Sequence, residues 1–279
     1  MPDFFENEDG ENIAASIWGS KKDPLVIFLH GGGQTRFAWA EAGKKIAQHG
    51  FYVIAYDLRG HGDSFWSKQG DYTIHAHRKD LVSIIRSVGK PANLVGASLG
   101  GMTSLSLAGD NEDSKLCKSL TMVDIGIYPD QEGSDKIVSF MQSASGGFAS
   151  LEEAAQYISD FLPHRKKPKD LSGLNKNLRK KEDGRFYWHW DPKFLQGRKG
   201  ADIEKYFGYL EGAAKELKIP VLLIRGALSD VLTEKDKNFF LNTVAHAEFR
   251  EIAEAAHMVA GDKNDIFAEA VEEFLLKHN

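Results

Sequence analysis

Short apolar runs recur along the chain, and amphipathic stretches separate them. The runs occupy residues 25–29, 52–56, 92–95, 119–123, 220–224 and, more weakly, 248–252. A wholly apolar run is typical of a parallel strand that is covered on both faces. Residues 38–49, 73–88 and 266–277 carry apolar side chains at helical spacing. This alternation predicts an α/β fold with a doubly wound, mostly parallel sheet and right-handed crossovers.

Two stretches of the chain depart from this alternation of strands and helices. Residues 3–6 and 12–18 flank Asp9-Gly10 and predict an opening hairpin. Between 128 and 215 the chain is polar, rich in lysine and aromatic residues, and lacks a clear buried strand. We therefore predict a core of residues 1–127 and 216–279, with a helical cap inserted at 128–215.

Composition narrows the class of protein. The 279 residues are 42% hydrophobic and 27% charged, which is typical of a soluble globular protein, and no apolar run approaches the roughly 20 residues that span a bilayer. A net charge of −5 argues against a nucleic-acid partner. The acidic start and the single cysteine, Cys117, lead us to expect a cytoplasmic protein without a disulfide or a membrane partner.

Polar residues follow the predicted strands at their carboxyl ends. In doubly wound sheets, ligands bind beyond these ends. We therefore expect one rim of the sheet to gather the polar side chains of His30, Asp57, Ser98, Asp124, Asp230 and His257.

Ser98 has the most informative surroundings. It lies in Gly96-Ala97-Ser98-Leu99-Gly100, between an apolar strand and a helix-forming run. A strand that reverses into a helix within two residues strains the turn residue, and the glycines remove side chains that would collide. The first amides of the helix point toward the serine oxygen. These features predict a site of acylation.

Four segments resemble the α/β-hydrolase superfamily, in the family's order and over nearly the whole chain. They are His30-Gly31-Gly32-Gly33, the motif around Ser98, Ser229-Asp230 and Ala256-His257-Met258. The resemblance implies Ser98 as nucleophile, His257 as general base and Asp230 as the acid that orients it. Asp124 is the alternative acid, because some members of this fold carry it after the earlier strand.

The resemblance also implies an oxyanion hole made by the amides of Leu99 and Gly32, with Gly33 as the second choice within the glycine run. His30 is expected to bond loop backbone groups, whereas His75, His77 and His246 are expected at the surface. The loop residues Asp57, Arg59, His61 and Asp63 are interpreted as scaffolding, with a metal site as the alternative. No metal and no cofactor is expected.

Aromatic residues are dense in the predicted cap, and they either form its core or line the acyl pocket. The basic run 164–181 is interpreted as a solvated face, with attraction of anionic substrates as the alternative. Candidate substrate-binding residues are Phe37, Trp39, Phe140, Trp188, Trp190 and Met258.

The leading hypothesis is a serine hydrolase that cleaves carboxylic esters, lactones or thioesters of small to medium apolar acids, as a monomer or homodimer. A serine at position 98 excludes the branches of the family that use an aspartate nucleophile. The alternatives are hydrolysis of a carbon–carbon bond in a ring-cleavage diketone, perhydrolysis without a cofactor, and a small-molecule receptor on the same fold.

Overall fold

The computed structural model describes residues 1–162, 170–196 and 201–279. Its central feature is an eight-stranded sheet. The strands are β1 (Asp3–Glu6), β2 (Asn12–Trp18), β3 (Leu25–Leu29), β4 (Tyr52–Tyr56), β5 (Ala92–Ala97), β6 (Cys117–Val123), β9 (Val221–Gly226) and β10 (Glu248–Ile252). They lie in the order β1-β2-β4-β3-β5-β6-β9-β10.

The strand directions follow the predicted pattern. The opening hairpin pairs β1 with β2, and β2 runs antiparallel to β4. From β4 to β10 all pairings are parallel. The sheet is therefore mostly parallel, and the predicted doubly wound α/β architecture is confirmed.

Helices cover both faces of the sheet. They are α1 (Ala40–Gln48), α2 (Ile74–Val88), α3 (Leu99–Ala108), α4 (Gln131–Ser143), α5 (Leu151–Phe161), α6 (Ala201–Lys215), α7 (Glu234–Thr243), α8 (Val259–Asp262) and α9 (Asn264–His278). Two apolar clusters result. The larger contains side chains of α2, α3 and α6, and the other contains those of α1 and α9. The sheet is thus buried on both faces, as its apolar strands require.

The segment between β6 and β9 contains more than helices. A small hairpin of β7 (Leu178–Lys180) and β8 (Phe186–Trp188) joins α4 and α5 around a separate apolar cluster. At the other end of the segment, Leu210, Ala213 and Ala214 of α6 lie in the larger core cluster. The last part of the predicted insertion therefore packs with the core.

Within the described ranges, no helix is both long enough and apolar enough to cross a membrane.

Candidate functional site

Ser98 lies on a strained turn between β5 and α3. Its backbone angles are φ 48° and ψ −116°, a conformation that L residues seldom adopt. The flanking glycines are sterically required. A Cβ at Gly96 would lie 2.4 Å from the carbonyl oxygen of Gly100, and a Cβ at Gly100 would lie 2.3 Å from that of Leu29. The packing of α3 against the sheet thus holds the serine at the rim.

His257 is oriented by Asp124. The imidazole Nδ1 lies 2.8 Å from Oδ2 of Asp124, and the carboxylate is fully buried. Oδ1 of the same carboxylate accepts the amide of Gly226 at 2.8 Å, and Oδ2 also accepts the hydroxyl of Ser229. These hydrogen bonds satisfy both oxygens of the buried carboxylate and fix its orientation.

Asp230 does not contact His257, so the structure corrects the expected acid. Its side chain is 58% exposed and lies 3.6 Å from Nζ of Lys136. Asp230 stands four residues beyond the end of β9, whereas Asp124 directly follows β6. Of the pair Ser229-Asp230, it is the serine that reaches the carboxylate of Asp124.

The glycine loop after β3 runs beside the serine. A Cβ at Gly31 would lie 3.4 Å from Cβ of Ser98. Within the described ranges, the Gly32 amide has no hydrogen-bond acceptor. Leu99 begins α3, so its amide has no acceptor within the helix. These two amides are therefore available to a ligand that approaches Ser98.

The amide of Gly33 is not available in the same way. It donates to Nε2 of His61 at 3.0 Å, so the structure does not support Gly33 as an oxyanion donor. Its conformation, with φ +76°, is one that glycine adopts readily. Gly33 therefore supplies the left-handed backbone conformation at which the loop turns.

Two histidines support this loop from within the core. His30 Nδ1 lies 2.7 Å from the carbonyl oxygen of Gly31, and its Nε2 accepts the amide of Leu58. His61 makes the bond to Gly33 and a second one to the carbonyl of Arg59. The expected role of His30 in bonding loop backbone is confirmed.

A third histidine comes from the segment between β8 and α6. His189 accepts the amide of Gly62 at Nδ1 and faces the carbonyl of Gly33 through Nε2. No pattern in the sequence indicated this residue, because its partners lie more than 120 positions away along the chain.

Burial lowers the pKa of all three imidazoles. The pKa of His30 falls to about 4 and that of His61 to about 3, in each case because desolvation disfavours the charged ring. Desolvation also lowers the pKa of His189 well below its usual value. Each ring has one nitrogen that accepts an amide hydrogen and one that faces a carbonyl, an arrangement that the neutral ring satisfies.

These pKa shifts predict that the fold is sensitive to acid. Below pH 6.5 the unfolded histidines bind protons that the folded ones reject, so the free energy of unfolding decreases as the pH falls. Each histidine contributes about 1.4 kcal/mol per pH unit until its folded pKa is reached. Urea unfolding between pH 6.5 and 5 measures this slope. A free energy of unfolding that stays constant across this range would contradict the prediction.

The loop after β4 is a scaffold of ion pairs, as the sequence predicted. Asp57 accepts the amide and guanidinium of Arg36, and it also accepts the amide of Asp63. Arg59 pairs with Asp80 through two bonds of 2.6 and 2.7 Å. Over the described residues, no cluster of three or more histidine, cysteine or acidic side chains is arranged to hold a metal ion.

The histidines outside the rim differ in burial. His75 and His246 are exposed, as expected. The expectation for His77 is wrong, because the residue is fully buried on the inner face of α2.

The structure places the predicted substrate-binding residues in different surroundings. Trp39 is 1% exposed and packs between Phe28 and Phe267 in the core, so its assignment to the pocket is wrong. The ring of Phe37 has the cations of Arg36 and Lys176 near its face, an environment unlike that of an apolar pocket wall.

The aromatic residues of the segment between β6 and β9 mainly pack with one another. Phe140 stacks on Phe161 and Tyr157, with ring centroids 4.1 and 4.9 Å away. Trp188 packs against Phe148 and stacks on Trp190 at 4.7 Å.

Three described side chains of the same segment lie close to the glycine loop. A Cβ at Gly33 would meet Met141 at 2.9 Å and Trp190 at 3.4 Å, and a Cβ at Gly32 would meet Phe194 at 3.3 Å. No motif or spacing singles out Phe194 for this contact. Met258 is half-buried, and its assignment to the substrate pocket stays a prediction. Residues 164–169 of the basic run lie outside the described ranges.

Known proteins resemble the chain over most of its length. The chain is 29% identical over 270 residues to the esterase Rv0045c of Mycobacterium tuberculosis, covering 93% of this chain and 85% of that one. A probable protein phosphatase methylesterase 1 of Caenorhabditis elegans is 23% identical, with 99% of this chain and 76% of that protein covered.

Solved structures agree with this fold. E-2-(acetamidomethylene)succinate hydrolase superposes with a TM-score of 0.85 at 21% identity, covering 99% of this chain and 98% of that one. The structure of the M. tuberculosis esterase gives a TM-score of 0.78 at 26% identity, covering 99% of this chain and 92% of that one. The sequence model of the alpha/beta hydrolase fold matches residues 24–263. Together with the rim geometry, this match shows that the chain belongs to the α/β-hydrolase family.

Proposed function

We propose that this protein hydrolyses carboxylic esters of small to medium apolar acids through an acyl-enzyme on Ser98. The hydrogen bond of 2.8 Å between His257 and Asp124, at the rim where Ser98 precedes α3, is the observation that carries the proposal. The similarity to esterases supports ester hydrolysis as the class of reaction.

His257 acts as the general base. Because Nδ1 donates to Asp124, the neutral ring leaves the lone pair of Nε2 free to accept the hydroxyl proton of Ser98. Asp124 holds this tautomer and stabilises the imidazolium that forms. The serine oxygen then bonds to the acyl carbon, and the carbonyl electrons move onto the acyl oxygen.

The resulting oxyanion is stabilised by the amides of Gly32 and Leu99. Each such donor typically lowers the barrier by about 3 kcal/mol. When the intermediate collapses, the bond to the alcohol oxygen breaks and His257 gives its proton to that oxygen. Water then repeats the sequence at the acyl-enzyme, releasing the acid and restoring the Ser98 hydroxyl.

Cap side chains limit the space at the glycine loop. The ring of Phe194 covers Gly32, and Met141 and Trp190 cover Gly33. These groups are apolar, which supports a preference for apolar acyl groups over charged ones.

A burst experiment tests the proposal. Mixing the enzyme with excess p-nitrophenyl butyrate is expected to release p-nitrophenol in a rapid phase of about one equivalent, followed by slower turnover, because p-nitrophenol leaves during acylation and deacylation of the butyryl-enzyme is the slower step. A receptor on the same fold would instead bind the ester without turnover, and that outcome would contradict the proposal. His257→Ala is the matched control, and it should lose both phases.

A further inference from the structure

Three buried imidazoles lie in a row beneath the glycine loop. The ring centroids of His30 and His61 are 5.2 Å apart, and those of His61 and His189 are 5.9 Å apart. His30 and His61 belong to loops of the sheet, whereas His189 follows β8 in the inserted segment. All three are at most 1% exposed.

The first imidazole fixes the peptide plane that carries the candidate oxyanion donor. His30 bonds the carbonyl oxygen of Gly31, and the planar trans peptide joins that carbonyl to the amide of Gly32. Holding the carbonyl therefore also fixes the direction of the Gly32 N–H.

The other two imidazoles fix the next two planes. His61 accepts the amide of Gly33 at 3.0 Å, and His189 Nε2 lies 3.2 Å from the carbonyl oxygen of Gly33. The Gly31–Gly33 run has no side chains to restrict its rotation, so hydrogen bonds decide its conformation. Within the loop, Gln34 donates its amide to the carbonyl of Gly31 at 3.1 Å and accepts the amide of Gly31 at Oε1. His189 supplies the bond that comes from the inserted segment.

His189 also ties the loop to a second core element. Its Nδ1 accepts the amide of Gly62 at 2.7 Å, so one ring spans two loops. Because Nδ1 accepts a hydrogen bond, the single proton of the neutral ring lies on Nε2. This N–H can donate to the carbonyl of Gly33.

We infer that His189 is a positioning residue for the oxyanion hole, through which the inserted segment aligns the Gly32 amide with the reacting carbonyl. The inference rests on the proposed function. Loss of the bond to Gly33 should weaken stabilisation of the transition state while leaving ground-state binding of the ester unchanged.

Two variants of equal side-chain length isolate this bond. His189→Gln keeps an N–H donor that can reach Gly33, whereas His189→Met has none. We expect the Met variant to lower kcat by about 10- to 100-fold with little change in KM, since small misplacements at a reacting centre have effects of this size. The Gln variant should stay within about fivefold of the wild type. Affinity for butaneboronic acid, whose tetrahedral adduct mimics the oxyanion, should decrease in parallel with kcat.

A second polar contact between the same segment and the core serves as the control. Arg179 bonds Asp63 at 2.7 Å, and its other hydrogen bonds go to the carbonyls of Asn175 and Leu178 rather than to the glycine loop. Arg179→Gln should leave kcat and boronate affinity near the wild-type values. If it lowers them as much as His189→Met does, or if the Met variant matches the wild type, the inference is wrong. If the Met variant does not fold, His189→Asn replaces it, because asparagine can serve Gly62 but is too short to reach Gly33.

Failure of the proposed function has a different signature. Wild-type enzyme that neither binds the boronate nor turns over p-nitrophenyl butyrate would overturn that function. Wild-type enzyme that does both, with His189 variants that behave identically, would overturn only the role of His189.

Discussion

Asp124→Asn is expected to lower kcat by about 10⁴-fold, the effect of the corresponding exchange in serine proteases. The amide would still fit among Gly226, Ser229 and His257. It would favour the wrong imidazole tautomer, however, because its NH₂ group cannot accept the Nδ1 proton. Steady-state kinetics on p-nitrophenyl butyrate at pH 8, with thermal unfolding to check the fold, measure this effect.

Asp230→Asn is the matched control for this prediction. It makes the same chemical change on a carboxylate that is 58% exposed and pairs with Lys136. We expect kcat to remain within about twofold of the wild type, since exposed ion pairs contribute little. The opposite result, with activity lost in Asp230→Asn and kept in Asp124→Asn, would return the acid to the position that the sequence favoured.

Ser98→Ala is expected to lower kcat by about 10⁶-fold, as loss of the nucleophile does in other serine hydrolases. The fold should tolerate the change, because alanine keeps the Cβ and the backbone conformation of residue 98. Stopped-flow measurement of p-nitrophenol release would show no burst phase. A variant that retains a substantial part of the wild-type kcat would place the nucleophile elsewhere.

Much of the fold could be predicted from the sequence because its strands are buried on both faces. Apolar runs such as Leu25–Leu29 and Tyr52–Tyr56 are typical of buried parallel strands. The alternation of strands and helices then predicted that the polar motifs lie at the carboxyl ends of these strands. The position of Ser98 followed from local sterics, since Gly96 and Gly100 are required by contacts within and beside its own turn.

The partner of His257 could not be settled from the sequence because both aspartates follow strands of the same sheet. The choice depends on where the backbone turns after β6 and after β9. Asp124 has φ 51°, and this turn brings its carboxylate to Gly226 and Ser229. Such long-range contacts have no signature in local spacing.

The pocket was harder still to predict. Trp39 lies two residues beyond Phe37 after the glycine run, but its ring packs against Phe267 in the core. His189 and Phe194 meet the glycine loop through the tertiary packing of the inserted segment, which residue spacing does not encode.

The role of Ser98 as nucleophile underlies the whole mechanism, and the mass of a covalent adduct tests this role without reference to turnover. The wild-type enzyme is incubated with an ethyl fluorophosphonate, digested and analysed by tandem mass spectrometry, with Ser98→Ala and Ser229→Ala treated in parallel. We expect one phosphonate on Ser98, none on the Ser98→Ala variant, and labelling retained in Ser229→Ala. A phosphonate on any other residue of the wild type, or equal labelling of Ser98→Ala, would show that Ser98 is not the nucleophile.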